Sequence, residues 1–237
     1  MAIEGGTILT IIPARGGSKG LPGKNTKALG GKPLIAWTIE HAKSCEYIDR
    51  IIVSTDNEEI AEISIEHGAE VPFMRPWELA TDKASTIDAI RHVLRWLGES
   101  ENFRPRYVLL LQPTSPLRSR EDIDRARDIL VARNASAVVS VCETNHHPWW
   151  SNTLPENRNM KAFLRPEILN KSRQELPVYY RLNGAIYLAE TEYMLERNGF
   201  FGPKTFAYVM PNERSVDIDS LLDFQIASFL MANKRGS

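Results

Sequence analysis

Short β-branched apolar runs alternate along this chain with longer segments whose apolar positions recur every three to four residues. Thr7 to Pro13 is apolar throughout and runs into a glycine-rich loop, which predicts a buried strand. Pro33 to Ser44 follows as a helix, with Leu34, Ile35, Thr38, Ile39 and Ala42 on one side. Arg50 to Ser54 predicts the second strand, Glu58 to His67 a helix stopped by Gly68, and Ala69 to Phe73 a third strand. Ile87, Ile90, Leu94 and Leu97 form one stripe of a helix over Thr86 to Leu97. Tyr107 to Gln112 is the most hydrophobic run and is expected at the centre of the sheet. A helix over Glu121 to Ala132 and strands over Ala137 to Val141, Gly184 to Ala189 and Thr205 to Val209 continue the rhythm, and a helix over Leu221 to Met231 closes it. Such alternation predicts an α/β domain over 1–237, built from βαβ units around a mostly parallel sheet covered on both faces. The rhythm fails only at 143–183, rich in proline, asparagine and aromatic residues, which reads as a projecting arm inserted in the domain.

Composition narrows the partners. The 237 residues carry 29 Lys plus Arg against 30 Asp plus Glu, a net charge of -1. That balance argues against nucleic acid or an anionic membrane as partner, since either needs a basic excess. No apolar run reaches membrane-spanning length, and the N-terminus lacks a signal peptide's charged start and long apolar stretch, so a cytoplasmic location is expected. Cys45 and Cys142 are too few and too far apart for a disulfide scaffold or a thiolate zinc site. They read as small buried hydrophobes.

The chemistry concentrates in the first loop, Ile12-Pro-Ala-Arg-Gly-Gly-Ser-Lys-Gly-Leu-Pro-Gly-Lys-Asn25. Arg15, Lys19 and Lys24 share it with Gly16, Gly17, Gly20 and Gly23. Glycines let a backbone approach an anion closely, and the loop leaves the C-terminal end of a strand, where open α/β sheets bind ligands. Three cations exceed the need of one phosphate and suit a triphosphate. The loop is not a Walker A: five residues separate Gly17 from Gly23, and Asn25 stands where Ser or Thr should follow the lysine. The G-x-G-x-x-G fingerprint is absent too.

Asp217 and Asp219 lie one residue apart, so an extended segment turns both carboxylates the same way. Hard oxygen ligands of this kind suit Mg²⁺ held partly by substrate phosphates, but Asp219 also directly precedes the last helix, where a carboxylate can cap it. Gln112, at the tip of the central strand, points into the crevice of such a sheet, unless it merely caps the Pro113-Thr114-Ser115-Pro116 turn. His146 and His147 invite a metal reading, but adjacent side chains diverge and no spaced ligand completes a set; structural roles are expected.

The motif IPARGGSKGLPGKN resembles the opening motif of the CMP-acylneuraminate synthetases, cytidylyltransferases that activate nonulosonic (sialic-type) acids. Arg75-Pro76 with Glu78-Leu79-Ala80 and Asp82 to Thr86 (DKAST) resembles that family's second nucleotide segment. Leu111 to Arg118 resembles its LQPTSPLR block, Gln174 to Pro177 with Tyr180 to Tyr187 its sugar and dimer region, and Val216 to Asp219 its acidic metal segment. These blocks keep family order over nearly the whole chain. The resemblance implies a Rossmann-like three-layer sandwich of nucleotidyltransferase type and transfer of CMP from CTP to the anomeric hydroxyl of a nonulosonic acid, releasing pyrophosphate. It implies nucleotide contacts by Ala14, Arg15, Gly16, Lys19, Lys24, Asn25, Arg75, Ser85 and Thr86. Arg15, Lys19, Lys24 and Asp217 would be catalytic, with Mg²⁺ on Asp217 and Asp219. Gln112, Arg173 and Tyr187 would meet the sugar, Arg173 gripping its carboxylate unless it forms a salt bridge within the arm and Lys171 or Arg181 takes that role. The arm, with Trp149, Trp150, Tyr179 and Tyr180, would join two protomers in a homodimer or tetramer, or else pack locally. Two rival readings stay open: a synthetase with another acceptor, such as octulosonate, and a nucleotide-binding sensor without chemistry.

Overall fold

The apolar runs assemble one sheet. In the computed structural model, which describes residues 6–234, the chain forms β1 (Ile8–Pro13), a small hairpin of β2 (Ala28–Leu29) and β3 (Lys32–Pro33), then β4 (Arg50–Ser54), β5 (Tyr107–Leu110), β6 (Ala137–Glu143), β7 (Tyr180–Glu190) and β8 (Thr205–Val209). Six of these pair in the order β4-β1-β5-β7-β6-β8. β5 is interior, as its hydrophobicity predicts, and every one of its residues is buried. The helices are α1 (Leu34–Lys43), α2 (Glu58–Glu66), α3 (Thr86–Ser100), α4 (Arg120–Ala132), α5 (Thr191–Arg197) and α6 (Leu221–Lys234).

Alternation along the strands sorts the core into two layers. Ile8 and Ile12 of β1 with Tyr107 and Leu109 of β5 face α1, α2 and α4, meeting Ile35, Ile39, Ile60, Ile123 and Leu130. Leu9 and Ile11 with Val108 and Leu110 face the other way, onto Ile90, Val93 and Leu97 of α3 and Met194 of α5. The result is the three-layer sandwich. A third cluster at the C-terminal edge of the strands joins Phe224, Ala227 and Met231 of α6 to Leu21, Leu29, Leu34, Leu117 and Ile218. The last helix therefore clamps the first loop against the rest of the domain.

Two expectations change. Ala69–Phe73 contributes only a single parallel bridge, Ile52 to Glu70, because Pro72 has no N–H to extend a ladder. β7 is antiparallel to both β5 and β6, so the sheet is mixed, and its other three pairings, β4–β1, β1–β5 and β6–β8, are parallel. Glu143, the last residue of β6, faces Tyr180, the first of β7, so the segment between them is a long hairpin loop rather than a crossover. It contains three 3-10 turns and no strand. At its base His147 is buried: its Nε2 meets Pro177 O at 3.1 Å, its Nδ1 accepts from the Trp149 N–H, and its ring packs on Trp149 and Tyr179. The histidine is structural, and part of the aromatic set packs locally while Tyr180 stays exposed. Cys45 and Cys142 are free and buried. Among the described residues no helix is long and apolar enough to cross a membrane.

Candidate active site

The first loop leaves β1 at Ala14, whose N–H continues the strand by donating to Ser54 O at 2.9 Å. Two side chains then fix its base. Asn25 is buried and its Nδ2 donates to Arg15 O at 3.1 Å, and the Gly16 N–H donates to Asp56 Oδ1 at 2.9 Å. The cations of this loop are not bare. Arg15 Nη2 lies 2.9 Å and Lys19 Nζ 2.5 Å from the two oxygens of Asp82. Those contacts, Lys19 first and then Arg15, hold the Asp82 carboxyl below the usual carboxylate range despite the small cost of its desolvation. Lys24 Nζ donates to Ile218 O and Asp219 Oδ1, both at 2.8 Å. Two carboxylates, Asp82 and Asp219, thus engage the three cations of the loop.

The second wall is Arg75 and the start of α3. Arg75 is buried, donates from Nε to Ser54 Oγ at 2.9 Å and reaches Ser54 O through Nη2. Burial lowers its pKa to about 10, with Asp56 opposing and Arg15 adding to the effect, so it stays charged at neutral pH. Ser85 caps α3 by accepting from the Asp88 N–H at 3.1 Å, and Thr86 is the first helical residue.

The floor is the turn after β5. The Ile218 N–H donates to Thr114 O at 2.8 Å, which seats the 217–219 segment against Gln112, Pro113 and Thr114. Gly184, at φ +73, sits where the β6–β7 register shifts. A Cβ there would come within 2.6 Å of Gln112 Oε1 and 3.5 Å of Asp217 Oδ2, so glycine is what lets these two side chains share the floor. Gly20 likewise touches the Asp219 carbonyl so closely that any side chain would part the loop from the acidic segment. Burial pushes the Asp217 carboxyl above its ordinary range; Thr114 offsets part of this and the Asp219 charge adds to it. Asp217 Oδ1 is buried with no hydrogen-bond partner.

Of the anticipated residues, Arg15, Lys19, Lys24, Asn25, Arg75, Ser85, Thr86, Gln112 and Asp219 all line one cleft of about 460 Å³. Asp217 lies beside it under Gly184, and Ala14 and Gly16 form the backbone behind it. Tyr187 is half-buried on β7 and packs on Phe200; burial first and then the Asp217 charge raise its pKa. Arg173 is exposed in an arm turn and does not line the cleft. Nor does Asp219 cap α6. Ser220 does, in reciprocal contact with Asp223, whose Oδ2 accepts from the Ser220 N–H at 2.8 Å and the Asp219 N–H at 3.2 Å. The Asp219 carboxylate is left for Lys24.

Sequence reasoning missed Arg118 as a contributor. It is fully buried and spans the floor from beneath, donating to Ala185 O at 2.7 Å, Thr38 Oγ1 at 2.9 Å and Gln112 O at 3.4 Å. Its signal was an arginine closing a proline-rich turn, where a surface residue is the usual expectation. Asp82 was legible only as part of a motif, with no hint that it pairs two loop cations.

For a divalent cation the fit is favourable: Asp219 lines the cation-rich cleft, and Asp217 lies beside it with an unsatisfied buried oxygen. Among the described residues no group of three or more His, Cys, Asp or Glu could hold a metal, so the remaining ligands would be water and phosphate oxygens.

A glycine-rich cationic loop over the C-terminal end of a largely parallel sheet defines a nucleotide-handling α/β protein. The cytidylyltransferase family model matches residues 9–224. The CMP-N,N'-diacetyllegionaminic acid synthase of Legionella pneumophila is 38% identical over 94% of this chain and 96% of its own. An N-acylneuraminate cytidylyltransferase of Escherichia coli is 38% identical over 96% of this chain, which spans 52% of that longer protein. Among solved structures, CMP:2-keto-3-deoxy-manno-octonic acid synthetase complexed with CTP superposes with a TM-score of 0.68 at 18% identity, covering 96% of this chain and 99% of that one, a likeness of fold. The chain belongs to the cytidylyltransferase family, in the branch of the CMP-acylneuraminate synthetases.

Proposed function

We propose that this protein transfers CMP from CTP to the anomeric hydroxyl of a nonulosonic acid and releases pyrophosphate. The observation that carries the reading is the gathering, at one cleft, of Arg15, Lys19 and Lys24 with Asp219, Asp217 lying beside it. The triphosphate would displace the Asp82 and Asp219 carboxylates from these cations, exchanging one set of charge-assisted hydrogen bonds for another. Arg15 and Lys19 then neutralise the charge that gathers on the leaving pyrophosphate, while Lys24 serves the α-phosphoryl side nearer Asp219. Gln112 and Tyr187 orient the sugar so that its hydroxyl meets the α-phosphorus in line with the departing oxygen. Arg118 keeps the Gln112 backbone in place. Asp217 and Asp219 would hold Mg²⁺, which supplies Lewis-acid stabilisation of phosphate charge. Arg173 and the arm, which stand away from this chain's own cleft, serve the partner protomer's sugar site in a homodimer. Two free buried thiols and the use of CTP fit a cytoplasmic enzyme.

Pyrophosphate release tests this. With CTP and Mg²⁺, the protein is presented in turn with N-acetylneuraminic, legionaminic, pseudaminic and octulosonic acids. Release with a nonulosonic acid establishes the reaction and names the acceptor. Release only with the octulosonate makes it an octulosonate enzyme, and CTP binding without release from any of the four points to an acceptor outside the panel or to a sensor.

A further inference from the structure

A second cavity of about 820 Å³ opens at the other end of the central strand, where β5 begins and β7 ends. It is lined by Arg91 and Arg95 of α3, by Arg104 and Arg106 of the loop leading into β5, and by Glu190 and Glu192. Four arginines against two glutamates give the lining a net positive charge. None of the four forms an ion pair among the described residues, even with those two glutamates beside them. This contrasts with Arg50 close by, which is satisfied by Glu70 and Glu101.

The walls are preformed. The Thr191 N–H donates to Arg106 O at 2.8 Å and its Oγ1 to Pro105 O at 2.7 Å, tying the arginine loop to the start of α5. Arg91 is anchored by Nη2 to Leu195 O at 3.0 Å, and its Nε is buried with no partner. A buried, unsatisfied guanidinium nitrogen is costly without an acceptor. The volume suits a small molecule, and Leu94 and Phe103 supply an apolar side. The site is distinct from the catalytic cleft: the two share no lining residue, the cleft taking Thr86 and Ala89 of α3 with the turn after β5, this cavity Arg91 and Arg95 of α3 with the loop before β5.

We propose that this cavity is a binding site for a small molecule carrying a phosphate or pyrophosphate group. Arginine forks grip such oxygens in pairs, and four arginines that line one cavity without an ion pair among the described residues, outnumbering its two glutamates, match a multiply charged group better than a single carboxylate.

Isothermal titration with sodium pyrophosphate, in 150 mM KCl without divalent cation, tests it on three proteins. The wild type is expected to show two sites. Lys19→Ala with Lys24→Ala removes the cleft site and leaves the second. Arg95→Glu with Arg104→Glu, both at exposed positions, keeps the cleft site and weakens the second at least tenfold, with thermal melting confirming an intact fold. Because the distal site is read in the protein whose cleft has been disabled, its outcome does not depend on the proposed reaction. A single site in the wild type that disappears with the two lysines overturns the proposal, as does unchanged binding in the two-arginine variant.

Discussion

The residue with the most conflicting demands is Asp217. Its carboxylate is buried, has an oxygen without a partner and is pushed toward the neutral form, first by burial and then, against Thr114, by Asp219. The folded state therefore holds its proton more tightly than the unfolded chain does, and at neutral pH the ionised group opposes folding. A group kept at such a cost fits a cation ligand. Asp217→Asn is expected to lower kcat/KM by about 10²-fold or more, since transition-state charge loses its metal. In metal-free buffer the same variant should melt at the wild-type temperature or above it. Near-normal turnover with Mg²⁺ would refute the ligand role. The pairing of Asp217 with Asp219 was legible from their spacing, but whether Asp219 caps the last helix was not. Ser220 and Asp223 take that cap themselves, which leaves the Asp219 carboxylate free of it. Arg118 and Gly184 stayed invisible for a different reason: their work is done across the fold, on Gln112 and Asp217, through contacts that no local pattern encodes.

Among the elements, α4 shows how the sheet's outer end is held. Asp122 is wholly buried in its first turn and accepts from the Ser119 N–H at 2.8 Å, Tyr208 OH at 2.8 Å and Arg214 Nε at 2.9 Å. Burial alone would raise its pKa, but Arg214, the Ser119 N–H and Tyr208 together hold it below the ordinary range. A depressed folded pKa stabilises above the unfolded value and is lost as pH falls through the folded one. Arg214→Met is expected to cost about 3 kcal/mol at pH 7, a fall in Tm of roughly 6–12 °C, because it strands a buried charge. The difference from wild type should shrink as pH drops below the ordinary aspartate range; a gap that stays constant into that range would show that the ion pair is not its source. The strands and helices themselves were legible because their periods are strong: Arg50–Ser54 and Thr205–Val209 match their expected bounds. What could not be read was direction. A strand buried on both faces looks the same run either way, so the reversal of β7 appears only in its pairings, Glu143 with Tyr180 and Tyr107 with Glu190.

At the scale of the molecule, the arm leaves apolar side chains exposed on the single chain. Leu169, Val178, Tyr180 and Leu182 are each half or more exposed along the arm and the start of β7. Leu182 continues into an apolar hollow with Phe201 and Phe206 beside the edge strand β8. An apolar band joined to an open sheet edge is the surface a symmetric partner covers, and a stable interface of this kind buries about 1,600 Å² in total. The same arm carries Arg173, outside this chain's own cleft. If two chains complete each other's sugar sites, breaking the dimer should separate nucleotide binding from turnover. Sedimentation equilibrium at micromolar concentration is expected to give twice the chain mass of 26.8 kDa. Val178→Glu with Leu182→Glu should return it to the single-chain mass. That monomer should bind CTP with wild-type affinity, because every loop cation and Arg75 belong to one chain, while its KM for the acceptor rises at least tenfold. A monomer with an unchanged acceptor KM would leave the arm a purely structural role and return the carboxylate contact to a residue within the same protomer, with Arg181 the first to test. Its Nη2 already lies 3.2 Å from Ser215 O, beside the acidic segment.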